Sequence, residues 1–134
     1  MTWTWDQSAG EIRRDGVLVG KGYSGHDLGK NNPDMQDASN VGPIPRGQWK
    51  ITDLRATGAT TGPFTIVLAP CDGTDTCGRS EFRIHGDSIS NPGGASHGCI
   101  ILPRKVRDQI SDSGDRQIQV VCTAPVPVPS GATE

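Results

Sequence analysis

Glu11-Ile12-Arg13-Arg14-Asp15-Gly16-Val17-Leu18-Val19 reads as two short strands joined by Asp-Gly, a dipeptide that accepts the positive φ values of a two-residue hairpin turn. Upstream, Thr2 to Trp5 alternates polar and aromatic residues, the pattern of a half-buried strand. Downstream, Gln48–Leu54, Phe64–Ala69, Glu81–His85, Cys99–Leu102 and Gln117–Cys122 are apolar-rich runs bounded by Gly, Pro or Asp, and they read as further strands. One helix is expected from Pro103 to about Ser113, with Pro at its first position, Val106 and Ile110 four apart, and Gly114 beyond its end. The fold expected is therefore mainly β: a single sandwich or partly open barrel of short strands with one short helix.

The chain's 134 residues suit one domain. Its 18 glycines and 10 prolines make up about a fifth of the residues, against an average near ~12%. Many turns follow, and long helices are excluded. A formal charge of −2 argues against a nucleic-acid binder. No apolar run approaches the ~20 residues of a membrane-spanning helix, so no membrane insertion is expected. Met1 to Asp6 has neither a basic region nor an apolar one, so no signal peptide is expected either. After Cys122 the prolines alternate, which divides the chain into a domain over 1–122 and a Pro-rich flexible tail over 123–134. From Ser24 to Arg46 there is turn chemistry but no periodicity. Such a long stretch inside a compact domain is either a floppy insertion or the wall of a binding groove.

Chemistry concentrates in Phe82-Arg83-Ile84-His85-Gly86-Asp87 and Ser96-His97-Gly98-Cys99-Ile100. One expected strand ends on His85 and another opens on Cys99, so an imidazole and a thiol can meet at one rim of a sheet. A thiolate nucleophile with a nearby imidazole to lower its pKa and carry its proton is the requirement of cysteine catalysis. Gly98 lets the backbone approach closely, and the Gly98 and Cys99 amides are candidates for an oxyanion hole. Two plainer readings compete. Cys99 can be a buried structural cysteine. Alternatively, His85, His97 and Cys99 with Cys71 or Cys77 are zinc-ligand types, but their spacing fits no standard zinc motif, so no metal and no other cofactor is expected. Cys71 and Cys77 enclose five residues, and a disulfide there would contribute about 2 kcal/mol. Cys122, ending an apolar run, reads as a buried small hydrophobe.

Ser96-His97-Gly98-Cys99, preceded by His-Gly at a strand end, resembles the signature of L,D-transpeptidase catalytic domains. The wider context resembles more closely the L,D-transpeptidase-like peptidoglycan-targeting toxins delivered by type VI secretion. The matching residues are Tyr23-Ser24-Gly25, Asn31-Asn32-Pro33, Val41-Gly42-Pro43-Ile44-Pro45-Arg46-Gly47, and Arg79 ahead of Phe82-Arg83-Ile84-His85-Gly86. There are departures. Only ten residues separate His85 from Ser96, and Ile101 stands where the larger enzymes have an Arg.

The resemblance implies Cys99 as nucleophile, His85 as general base, the Gly86 carbonyl orienting the imidazole, and His97 shaping the site beside the Gly98 and Cys99 amides. Tyr23, Ser24, Arg79, Ser96 and Arg104 are the implied substrate-binding residues; for Tyr23 and Ser24 a core or surface role competes. His26 reads as exposed loop. The implied reaction is L,D-carboxypeptidase or L,D-transpeptidase chemistry, including D-amino acid exchange, on peptidoglycan tetrapeptide stems. The implied partners are those stems, a secretion apparatus and a periplasmic immunity protein. A protein made in the cytoplasm without a signal and injected into a target cell's periplasm reaches both its substrate and a space where Cys71 and Cys77 can oxidise. A cell-wall maintenance enzyme and a non-catalytic wall-peptide-binding module remain alternatives.

Overall fold

The computed structural model describes residues 3–58, 62–88, 93–94 and 96–122. Its elements, in chain order, are β1 (Trp3–Asp6), β2 (Glu11–Arg14), β3 (Val17–Lys21), β4 (Tyr23–Ser24), β5 (Gly47–Gly58), β6 (Gly62–Pro70), β7 (Arg83–His85), β8 (Ile100–Ile101), α1 (Arg104–Ser113) and β9 (Gln117–Val121). The strands form one sheet in the order β3-β2-β1-β9-β5-β6-β7-β8-β4. The two end strands, β3 and β4, are consecutive in the chain with only Gly22 between them. One segment therefore pairs with β2 through its first half and with β8 through its second, and the sheet is a nearly closed barrel. Gly22 is needed at that handover because a Cβ there would run into the Ile101 carbonyl. A mainly β fold with one short helix is the class expected from the sequence, and a barrel is the form it takes.

Apolar alternation fills the barrel. Trp3 and Trp5 of β1, Ile12, Trp49, Ile66, Ile84, Ile100, Ile118 and Val120 form one cluster, closed by Val106 and Ile110 of α1. Asp15 and Gly16 turn the β2–β3 hairpin with φ of 53° and 82°, as a two-residue turn that follows strand twist requires. Helix α1 starts one residue later than expected: Pro103 is its N-cap, and Gly114 ends it in the left-handed conformation. Its cationic first turn is relieved by local partners. Arg107 is buried and donates to the Leu102 and Phe64 carbonyls, while Arg104 pairs with Asp108 and lies over the Phe64 ring.

Several expectations need correction. Glu81 does not belong to a strand: its φ of 64° is left-handed, and β7 begins at Arg83. Cys122 is exposed: the β1–β9 ladder ends at Asp6 opposite Val121, and although the Ser8 N–H reaches the Cys122 carbonyl at 3.1 Å, Cys122 lies one residue past the end of β9. The Ser24–Arg46 stretch is no floppy insertion. It opens with the Ser24 end of β4, makes two short 3-10 turns at Asp27–Gly29 and Pro33–Met35, and bonds back on itself through His26 N–H to Val41 O and Asn31 N–H to Ser24 O. Thr2 and the 123–134 tail lie outside the described residues.

Candidate active site

Strands β7 and β8 run parallel, with Ile84 opposite Ile100 and His85 opposite Ile101. Side chains alternate across a strand. Ile84 and Ile100 point into the core cluster, so Arg83, His85, Cys99 and Ile101 project from the other face. Continuing the register by one residue sets Cys99 beside Arg83. His85 is then one strand across and two residues along, about 8 Å between α-carbons from standard strand spacings. An imidazole and a thiol on one face can span that separation.

His85 is buried, and its Nδ1 lies 2.9 Å from the Gly86 carbonyl oxygen. A carbonyl only accepts, so Nδ1 carries the proton and Nε2 keeps its lone pair. Burial, with Arg107 and Arg83 nearby, holds the imidazole below its usual pKa, against the opposing pull of the Gly86 carbonyl and Asp87. The neutral form needed by a base is thereby favoured. The Cys99 thiol donates to the Glu81 carbonyl at 3.6 Å. Burial pushes its pKa up, partly offset by the Arg83 backbone N–H and the charges of Arg83 and Arg79. This direction is opposite to the lowered thiol pKa expected from the sequence. Burial is the main cause, and the negative charge of Glu81 adds to it in the same direction.

The backbone around Cys99 is built by two serines that are completely buried. Ser24 Oγ donates to the Gly98 carbonyl at 2.8 Å and accepts the Ile44 N–H at 2.8 Å. Ser96 Oγ donates to the Cys99 carbonyl and accepts the N–H groups of Gly25 at 2.9 Å and Gly98 at 3.1 Å. The Gly98 amide is thus committed to Ser96. Of the two amides expected at an oxyanion hole, only that of Cys99 has no hydrogen bond among the described residues.

Arg79 joins three loops. One guanidinium nitrogen donates to the Gln36 and Pro43 carbonyls at 2.6 and 2.8 Å, and the other to the Gly42 and His97 carbonyls at 2.9 and 3.1 Å. It lies over the Phe82 ring and beneath Gly98, whose φ of 138° and lack of a Cβ leave the guanidinium room. Its hydrogen bonds fasten the long loop to the Ser96–Cys99 turn. Tyr23, instead of facing solvent alone, donates to Asp87 at 2.6 Å, and Asp87 also accepts the Ser88 and Gly93 amides. His97 is exposed, its Nδ1 3.1 Å from the Asn40 carbonyl and its ring centroid 5.4 Å from that of His26. Arg104 sits on α1, paired as described above. Cys71 and Cys77 are free, half-buried thiols; burial and then Asp75 and Asp37 push Cys77 up. No group of three or more metal-ligand side chains occurs among the described residues.

Two cavities lie away from the thiol. One of about 560 Å³ is lined by Trp3, Val17, Val19 and the end of α1, and one of about 530 Å³ by Gln36, Arg46, Asp75 and Cys77. Neither includes His85 or Cys99.

The Tlde1 domain matches the chain over residues 19–124. The chain belongs to the Tlde1 domain family. This is a family of L,D-transpeptidase-like type VI secretion effectors, so delivery into target cells, a secretion apparatus and an immunity protein come with membership. The match begins within β3 and ends just past Cys122, taking in every site residue described above. No curated protein matches the chain. No described helix is long and apolar enough to cross a membrane.

Sequence reasoning missed the roles of Gln36, Glu81 and Arg83. Glu81 meets the thiol, and Gln36 meets Arg79, through backbone carbonyls, which no side-chain motif announces; the Gln36 side-chain oxygen also accepts from Gln7 and Arg46. Arg83 did carry a signal, because the two-residue period of Phe82-Arg83-Ile84-His85 puts it on the His85 face.

Proposed function

We propose that this Tlde1-domain protein is a cysteine-dependent L,D-carboxypeptidase and L,D-transpeptidase acting on peptidoglycan tetrapeptide stems, and that it serves as an antibacterial toxin in the target-cell periplasm. The observation that carries the reading is the shared face of β7 and β8. There a buried imidazole, tied at Nδ1 to the Gly86 carbonyl, presents Nε2 on the same side as the Cys99 thiol. Family membership supports the reading at the level of an effector with transpeptidase-like character.

In the proposed reaction the thiol swings from the Glu81 carbonyl toward Nε2, which takes its proton as sulfur attacks the carbonyl carbon of the third stem residue. The oxyanion accepts the Cys99 N–H. As the intermediate collapses, the carbon–nitrogen bond to D-alanine breaks and the imidazolium returns the proton to the leaving amine. A thioester remains on Cys99. Water, deprotonated by Nε2, releases a tripeptide and restores the thiol; a D-amino acid or second stem in place of water gives exchange or cross-linking. The pKa directions fit a neutral thiol with a neutral base better than a standing thiolate–imidazolium pair. Arg79, Ser24 and Ser96 hold the walls, Tyr23 and His97 line the rim, and Arg104 adds positive charge at the start of α1.

Mass spectrometry of a disaccharide-tetrapeptide incubated with the protein tests the reading. The tetrapeptide loses one D-alanine, and added D-methionine takes its place on part of the material. Neither product forms with Cys99→Ala or His85→Ala, whose losses are not additive. Turnover retained by Cys99→Ala refutes the mechanism. The Glu81-bonded thiol also suits a binding module that never acylates. Stem binding by the intact protein with no product would favour that second reading.

A further inference from the structure

The cations near Cys99 are not equivalent. Arg79 spends its guanidinium on four backbone carbonyls. Arg107 is buried against the Leu102 and Phe64 carbonyls, and Arg104 pairs with Asp108 over Phe64. Lys30 lies over the Tyr23 ring. Arg83 differs from all of them. It is half-exposed and projects from the face that carries His85 and Cys99; its backbone N–H serves the Cys99 sulfur, but its guanidinium makes no hydrogen bond or ion pair with any described residue, Glu81 included. Its charge acts on both the Cys99 thiol and the His85 imidazole, as its place on their shared face implies.

We infer that Arg83 is a specificity-determining residue that binds the terminal α-carboxylate of the stem peptide, so that the site takes peptides ending one residue beyond the scissile amide. The inference rests on the cysteine acyl-transfer reading given above. In a tetrapeptide stem the carboxylate of the leaving D-alanine lies within about 4 Å of the scissile carbonyl carbon by standard backbone dimensions. A carbonyl held at the Cys99 sulfur therefore brings that carboxylate to the neighbouring strand, about 4.8 Å away, where Arg83 is rooted. A guanidinium with its donor fork free matches a carboxylate in two parallel hydrogen bonds. A pentapeptide carries its carboxylate one residue further out, beyond this pairing, so the same contact discriminates by length.

The test uses two probes, a disaccharide-tetrapeptide with a free terminal carboxylate and the same molecule as its terminal amide. Binding of each to the Cys99→Ala protein is measured by calorimetry, with and without Arg83→Gln, Arg83→Met or Arg83→Lys. The acid is expected to bind at least about tenfold tighter than the amide, as a charge-assisted pair implies. Arg83→Gln and Arg83→Met should weaken the acid about 10- to 100-fold and move the amide less than about twofold, while Arg83→Lys keeps an intermediate preference. Equal weakening of acid and amide, an unchanged acid affinity, or no binding of the acid to Cys99→Ala overturns the inference. Turnover by the wild-type protein is read separately. Carboxylate-dependent binding without turnover refutes the enzymatic reading and leaves the Arg83 contact standing, whereas turnover with an acid preference indifferent to Arg83 does the reverse.

Discussion

The hairpin end of the barrel and the loop end are held together by different forces. Around β1, β2 and β9 the stabilising contacts are apolar: Trp3, Trp5, Ile12, Ile118 and Val120 are all almost fully buried, and Ile110 of α1 caps them. Around Cys99 the contacts are polar and run from side chain to backbone, through Arg79, Ser24 and Ser96. Apolar packing is non-directional and tolerates small shifts. Hydrogen bonds from a guanidinium or a buried hydroxyl fix particular peptide groups at particular angles. A site that must aim one amide and one thiol at a reacting carbonyl gains from the second kind of construction. Its weakness is that each lost partner strands a buried polar group.

Substitutions should separate the two ends. Cys99→Ala abolishes turnover while leaving the melting temperature within about 2 °C, since a small half-buried side chain is removed. Trp5→Ala at the hairpin end removes a fully buried indole and should cost about 3–5 kcal/mol in urea denaturation. Arg79→Met at the loop end should cost about 2–4 kcal/mol and also most of the turnover, because four carbonyls lose their donor. Ser24→Ala and Ser96→Ala should each cost about 1–3 kcal/mol. Of the two, Ser96→Ala should lower kcat more, because it frees the Gly98 amide and the Cys99 carbonyl together. If Arg79→Met is as harmless as a typical surface change, the contrast between the two ends is false.

The smallest effect is in pH dependence. His85 is held below its usual range by burial, so its neutral form persists as pH falls through about 6.5. The acid limb of kcat/KM should therefore lie below that value, and the alkaline limb above the usual thiol range, because burial raises Cys99. Stability follows the same sign. Below about 6.5 an unfolded chain binds a proton that native His85 resists, so His85's contribution is complete above that pH and is lost as pH falls toward the lower folded value. An acid limb above about 7 would mean that His85 is charged in the free enzyme, contrary to its burial.

The two ends also differ in how far the sequence discloses them. The hairpin end was readable because its signals are periodic and local. Asp15-Gly16 fixes the turn, and the alternation in β1 and β9 selects the buried face. That His85 and Cys99 fall on one face of adjacent strands was readable because each borders a short apolar run. Barrel closure through Gly22 was not, since β4 is only two residues long and pairs with a strand almost eighty positions away. The work of Arg79 was hidden for a related reason: its partners are carbonyls, which every residue possesses, on loops with no period of their own. The exposure of Cys122 depended on where the neighbouring strand stops, which its own apolar run does not encode.

The most direct test of the account is intact-protein mass spectrometry after brief incubation with a disaccharide-tetrapeptide and quenching in acid, followed by mapping of the adduct. The account predicts a mass increase equal to the disaccharide-tripeptide acyl group, carried by the peptide containing Cys99, sensitive to hydroxylamine and absent in Cys99→Ala. Release of D-alanine with no adduct on Cys99 under any quench, or an adduct that maps to Cys71, Cys77 or Cys122, would contradict it.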